Sequence, residues 1–172
     1  LVRSRRALKG WRKERPPGSR LPLPRMAMVL WGQNKKLEAL KLLLDHDTYL
    51  RPGESIDLKG RDIVIPVRGA GKQYLFYAVI VKNSLDGHAD KVGVYDNTVL
   101  LNSPGRQFIG ALLHQRVKQL KSMEDLVFPF TSAKYRDAFT QSGAALGIPG
   151  LHPYQTRHGG AAEDLNGGER DH

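Results

Sequence analysis

The chain has no cysteine among its 172 residues. That excludes a disulfide framework and any thiolate metal site. It has no run near the ~20 apolar residues that a membrane-spanning helix needs. No apolar h-region follows its basic start. No segment repeats itself along the chain, which argues against a solenoid or a propeller. The first residue is Leu1, and the last residues, NGGERDH, carry no hydrophobic closing element, so the expectation is a fragment or an incompletely predicted product.

Hydrophobic residues make up 40% of the chain, enough for a globular core in one ordinary domain. The net charge is +10, and its placement is informative. Residues 1–20, LVRSRRALKGWRKERPPGSR, hold eight Arg or Lys against one Glu, whereas the remaining 152 residues carry nineteen basic and sixteen acidic groups. A basic arm on a nearly balanced domain suits a polyanion, most simply nucleic acid. The plainer alternatives are a solvated helix end and a nuclear-import-like signal.

Apolar Val2, Leu8 and Trp11 set among basic residues predict a helix over residues 1–15, stopped by Pro16, Pro17 and Gly18. PPGSRLPLP, Pro16–Pro24, is too rich in proline for helix or central strand and reads as a linker. The main domain is then expected over residues 25–172. Within it, Arg25–Gln33 predicts a short helix broken around Gly32–Asn34. Lys35–Leu50 predicts a longer one, with Leu37, Leu40, Leu43, Leu44 and Tyr49 on one face. Pro52 suits the first turn of a further short helix. Three strands are expected, at Asp62–Val67, Tyr74–Val81 and Asn97–Asn102. Arg106–Leu120 carries Phe108, Leu112, Leu113, Val117 and Leu120 at helical spacing. Thr131–Leu146 opens on a Thr-Ser cap signal and ends at Gly147. Pro153 occupies the first-turn position of a last helix. The fold class is therefore mainly α with a small three-stranded antiparallel sheet, α+β in the loose sense.

Several polar clusters invite chemical readings. Asp45-His46-Asp47 holds metal-capable side chains, but neighbours on a helix diverge, which disfavours one shared ion. RGAGK, Arg68–Lys72, is glycine-rich like a phosphate loop, yet it lacks the length and the Ser or Thr of one, and reads as a hairpin turn. Three basic residues sit at element boundaries: Arg51 after a helix, Lys91 in a turn between strands, and Arg157 near a helix start. Each has a plain surface reading, with Arg51 pairing Glu54, Lys91 solvated, and Arg157 pairing Glu163 or Asp164.

Taken in order, the three resemble the catalytic domain of the tyrosine recombinases, the phage-integrase-like enzymes. TYLRPGE, Thr48–Glu54, looks like that family's first arginine box. DKVGVYDNTVLL, Asp90–Leu101, looks like its lysine turn between the second and third strands. PYQTRHGGA, Pro153–Ala161, is similar to its second box, His-x-x-Arg, and LVFPFTSAKYRDAF, Leu126–Phe139, to the helix start that precedes it. The first and second boxes lie about 100 residues apart. Residues 1–15 and 16–24 resemble the end of the DNA-clamping helical domain and the linker after it.

The resemblance implies duplex DNA as partner, an assembly of protomers on DNA, neither metal nor nucleotide cofactor, and no membrane. It implies site-specific recombination or integration through a phosphotyrosine, as in a mobile element, in the nucleus of a eukaryote or otherwise in the cytoplasm. Arg51 and Arg157 would clamp the non-bridging phosphate oxygens, as paired guanidinium donors can. Lys91 would protonate the leaving 5′ oxygen, with Lys82 as the alternative. Glu54 would orient the Arg51 region. The box's first position, usually histidine, is Tyr154, and a phenol can donate to phosphate but is a poor proton shuttle near neutral pH. His152 lies two residues too early for that slot. His158 suits buttressing of the helix start.

The family's nucleophilic tyrosine lies well past the second box, after a third box with His or Trp. All six tyrosines here precede Arg157, and 15 residues follow it. The third box and the nucleophile are thus expected to be missing from a C-terminally truncated chain. The alternatives are a catalytically inactive DNA-binding relic, or an unrelated basic helical protein that binds RNA or chromatin.

Overall fold

The computed structural model describes residues 22–67, 69, 71, 75–81 and 97–156. The expected first helix, most of the linker, and Lys82, Lys91, Arg157 and His158 lie outside the described residues, as does most of RGAGK. Helix α1 spans Leu23–Gly32 and α2 spans Lys36–Thr48. Helix α3 is the short Pro52–Ile56. A 3-10 turn at Gly60–Asp62 leads to β1, Ile63–Val64. Strands β2, Tyr77–Val81, and β3, Asn97–Leu101, follow, then α4, Phe108–Val117, and α5, Ser132–Ala145.

Leu23 and Pro24 were expected to close the linker, but they are the first two residues of α1. The first four N–H groups of a helix have no partner inside it, so proline at its second position forfeits nothing. Leu23, Met26, Ala27 and Leu30 form its buried face, while Met28 and Trp31 face outward.

Helix α2 departs most from expectation. A single apolar face was expected, yet it is buried on nearly every side, from Glu38 to Thr48 with Leu43 partly buried. It lies between two apolar clusters. Leu40 and Leu44 join the sheet and α4 on one side, with Val79, Leu101, Ile109 and Leu113. Ala39 and Leu42 join α1 and α5 on the other, with Met26, Leu30, Tyr135 and Phe139. Tyr49 does not extend the helix. It adopts the left-handed conformation (φ 55°) and turns the chain toward α3.

The expected three-stranded antiparallel sheet is present, in the order β1-β2-β3. Ile63 pairs with Val79, Val79 with Val99, and Tyr77 with Leu101. The strands are shorter than expected. Asp62 belongs to the 3-10 turn, where its carboxylate accepts the Lys59 N–H at 2.8 Å. Pro66 has no N–H to give a ladder, and β1 stops at Val64 ahead of it. The second strand begins at Tyr77 rather than Tyr74, and the third ends at Leu101.

The buried face of α4 is shifted from the expected one. Ile109, Gly110 and Leu113 are buried, Leu112 and Val117 are partly so, and Phe108 is half exposed. Helix α5 follows expectation closely. The Thr131 hydroxyl accepts the Lys134 N–H at 3.2 Å. Past the last helical residue Ala145, Gly147 (φ 76°) closes the helix, with Ile148 N–H donating to Gly143 O at 3.0 Å and Gly147 N–H to Ala144 O at 2.9 Å. That pair of bonds satisfies carbonyls the last turn would otherwise leave open. Among the described residues, no helix is long and apolar enough to cross a membrane.

Two glycine-to-alanine changes test this packing. A Cβ on Gly110 would lie 2.5 Å from the Tyr77 Cβ and ring, so Gly110→Ala forces α4 off the sheet. It is expected to destabilise by about 1–3 kcal/mol in urea unfolding. A Cβ on Gly53 meets nothing within 4 Å, and Gly53→Ala in α3 is expected to stabilise by about 0.5 kcal/mol.

Candidate nucleic-acid interface

Arg51 is placed by its neighbours. Leu50 is buried behind it, and Pro52 disfavours helical geometry in the residue before it. Arg51 is accordingly extended (φ −67°, ψ 141°) and forms the N-cap of α3. Glu54, three residues on, reaches back. Its Oε2 accepts the Arg51 backbone N–H at 2.8 Å, and its Oε1 lies 3.5 Å from Arg51 Nη1. The Arg51 side chain remains 58% exposed. The Glu54 side chain is 20% exposed, so the pair is solvated and screened mainly on the arginine's side, where another anion can approach.

Tyr154 also faces outward, at 51% exposure. The turn that carries it is docked, with Leu151, Pro153 and Thr156 buried. The Thr156 hydroxyl donates to Pro153 O at 2.7 Å, and the His152 N–H donates to Gln155 Oε1 at 2.7 Å. The Thr140 hydroxyl, on α5, donates to Leu151 O at 3.0 Å and ties this turn to the helix. Arg51 and Tyr154 are therefore both surface groups on well-anchored turns. Lys91 and Arg157, the other two residues of the expected site, lie outside the described residues.

Beneath Arg51 is a buried polar network that sequence reasoning missed. Lys41, Asp45, Ser55 and Tyr135 are all essentially inaccessible. Lys41 Nζ donates to Asp45 Oδ2 at 2.8 Å, to Pro52 O at 3.0 Å and to Ser55 Oγ. The Ser55 hydroxyl donates to Asp45 Oδ1, and the Tyr135 hydroxyl to Asp45 Oδ2 at 3.3 Å. Lys41 Nζ also lies 4.4 Å from the centre of the Tyr135 ring, a cation–π contact. The sequence signal was the i, i+4 spacing of Lys41 and Asp45 within a leucine-rich helix.

Burial lowers the Lys41 ammonium, and the Asp45 charge and hydrogen bond oppose that shift. Burial likewise raises the Asp45 carboxyl, against the pull of Lys41, Ser55 and Tyr135. Tyr135 is pushed well above its ordinary value by burial and then by the Asp45 charge. A serine beside a lysine of lowered pKa is a familiar nucleophile pair. Here no substrate could reach it, so the network acts on structure.

The Asp45-His46-Asp47 run splits apart. Asp45 faces Lys41, while Asp47 Oδ1 lies 3.7 Å and His46 Nδ1 3.5 Å from Arg106 Nη1. Among the described residues, no group of three His, Asp or Glu side chains is placed to hold a metal ion.

The buried pair makes a testable demand. Lys41→Met leaves a buried carboxyl without its cation and is expected to cost about 3–5 kcal/mol. Without Lys41, Asp45 is raised further from its ordinary 3.8. The folded state then holds this proton more tightly than the unfolded chain. Stability is present below the unfolded value and is lost as pH rises through the folded one. The native protein already holds Asp45 above 3.8, so the deficit of Lys41→Met in urea unfolding should grow as pH rises past that raised value toward the variant's still higher one. Adding Asp45→Leu, Ser55→Ala and Tyr135→Phe should recover most of it, since those polar groups are then gone.

No protein-family model, no curated protein and no solved structure matches this chain.

Proposed function

We propose that this chain is a duplex-DNA-binding domain of the tyrosine-recombinase type, in which Arg51 and Arg157 grip one phosphate. The observation that carries this reading is the order of parts. An exposed arginine caps a short helix directly after a buried leucine-rich helix. A three-stranded antiparallel sheet follows, with Lys91 in the connection between its second and third strands. Two further helices then lead to the turn that carries Tyr154 and, next to the described residues, Arg157. The net charge of +10 supports a polyanionic partner.

In this reading the two guanidiniums donate paired hydrogen bonds to the non-bridging oxygens, where charge builds as the phosphodiester reacts. Each such donor contributes about 3–4 kcal/mol when its geometry is preset. Glu54 holds Arg51 in place until phosphate displaces it. Lys91 delivers a proton to the departing 5′ oxygen, and Tyr154 donates a hydrogen bond to phosphate. Strand exchange further requires a nucleophilic tyrosine past Arg157. Tyr135 is buried and bonded to Asp45, so it does not serve as that nucleophile.

Fluorescence anisotropy with a labelled duplex, titrated from about 50 to about 200 mM salt, tests the proposal. Affinity should fall steeply with salt. Arg51→Ala and Arg157→Ala should each flatten the slope of log K against log salt by about 0.9, the value of one lost phosphate contact. Absence of duplex binding, or unchanged slopes in both variants, would overturn it.

A further inference from the structure

Helix α3 has five residues, too few to fix its own direction. Its direction sets where the Arg51 guanidinium stands. Two of its residues, Ser55 and Ile56, are buried. Its polar hold comes from below. Lys41 Nζ donates to the Pro52 carbonyl at 3.0 Å and to the Ser55 hydroxyl, which in turn donates a hydrogen bond to Asp45 Oδ1. The same carboxylate accepts from Tyr135 of α5 at 3.3 Å. Five residues along α5, Thr140 holds the Leu151 carbonyl at 3.0 Å, three residues before Tyr154.

We propose that Lys41 and Asp45 are positioning residues that set the direction of α3, and so of Arg51, and tie it through α5 to the turn carrying Tyr154. The part concerning Arg51 as a DNA contact rests on the function proposed above. The geometry favours this role over mere filling of space. An apolar pair would occupy the same volume without the desolvation of two charges, but it could not direct the Pro52 carbonyl or the Ser55 and Tyr135 hydroxyls to fixed points. Lys41 reaches two points on α3, and Asp45 joins α3 to α5. Both are four residues apart on α2, the helix that the two apolar clusters enclose. The anchor is thus rigid, while the group it aims is exposed.

The test uses the full chain with Lys41→Met, and with Ser55→Ala in case the first variant does not fold. Amide hydrogen exchange is read at Glu54 and Ser55, whose N–H groups donate to Arg51 O at 2.8 and 3.3 Å. These amides should exchange about tenfold faster relative to those of α1, as for one lost hydrogen bond. In duplex-DNA titrations, Arg51→Ala should flatten the salt slope in the otherwise native chain, yet add nothing in the Lys41→Met or Ser55→Ala background. Arg157→Ala should keep its full effect in both backgrounds. If exchange rises uniformly across α1 and α3, and Arg51→Ala keeps its full effect in both variants, the pair is only structural and the proposal fails. If Arg51→Ala leaves binding by the native chain unchanged, the DNA reading fails, and the exchange ratio alone decides whether Lys41 and Asp45 hold α3.

Discussion

The ion pair of Lys41 and Asp45 is the contact on which the arrangement of helices turns. It is sealed from water inside α2. A charge so placed is costly unless nearly every donor and acceptor around it is used. Here the lone pairs and protons are taken by Ser55, Tyr135 and the Pro52 carbonyl. Those partners come from α3 and α5, so the need to satisfy one buried pair dictates where two other helices must lie. Hydrophobic burial drives the collapse, but it is non-directional. The directional constraint comes from this network.

The position of α2 makes the network possible. With Leu40 and Leu44 facing the sheet and Ala39 and Leu42 facing α1 and α5, its surroundings are apolar on two sides. Lys41 and Asp45 project between those clusters, into the seam that α3 and α5 close. The aromatic rings along this seam reinforce it. Phe130 stacks on Tyr135 at 6.0 Å between ring centres, and Tyr135 meets Phe139 at 6.2 Å. Tyr135 thereby serves both solvents of the interior. Its ring belongs to the apolar cluster, and its hydroxyl belongs to the network.

Much of this was legible in the residues, and the exceptions have physical causes. The three strands, the five described helices and the Thr131 and Gly147 caps follow from local signals that depend on a few neighbouring side chains. The burial of α2 was not legible, because a helix enclosed on two sides loses the one-sided pattern that betrays an amphipathic helix. Lys41, Asp45 and Ser55 look like surface residues in sequence. They become interior where α3 and α5 close over them, with Tyr135, ninety positions from Asp45, bonded to its carboxylate. Strand ends were misjudged where a side chain competes for backbone groups, as Asp62 does at Lys59, or where proline ends a ladder, as at Pro66. Of the expected site, Arg51 and Tyr154 fall on exposed, anchored turns. The motif's own Leu50, Pro52 and Glu54 fix the backbone of Arg51, while the direction of α3 beneath it comes from tertiary contacts.

The contrast between two ion pairs explains how the Arg51 guanidinium can be both aimed and exposed. Arg51 and Glu54 meet at 3.5 Å at the surface, the arginine 58% and the glutamate 20% exposed, where the pair is partly screened by salt. Lys41 and Asp45 meet at 2.8 Å without water, where breaking the pair strands a charge. If Arg51 binds phosphate as proposed, that phosphate replaces Glu54 at the guanidinium without disturbing what aims it. Had the strong pair been at the surface, the arginine would resist leaving it. Had the weak pair been the only restraint, α3 would hold no fixed direction for the guanidinium to inherit. Separating the two by one short helix, with Pro52 linking them through its carbonyl, keeps the aim and the exchange independent.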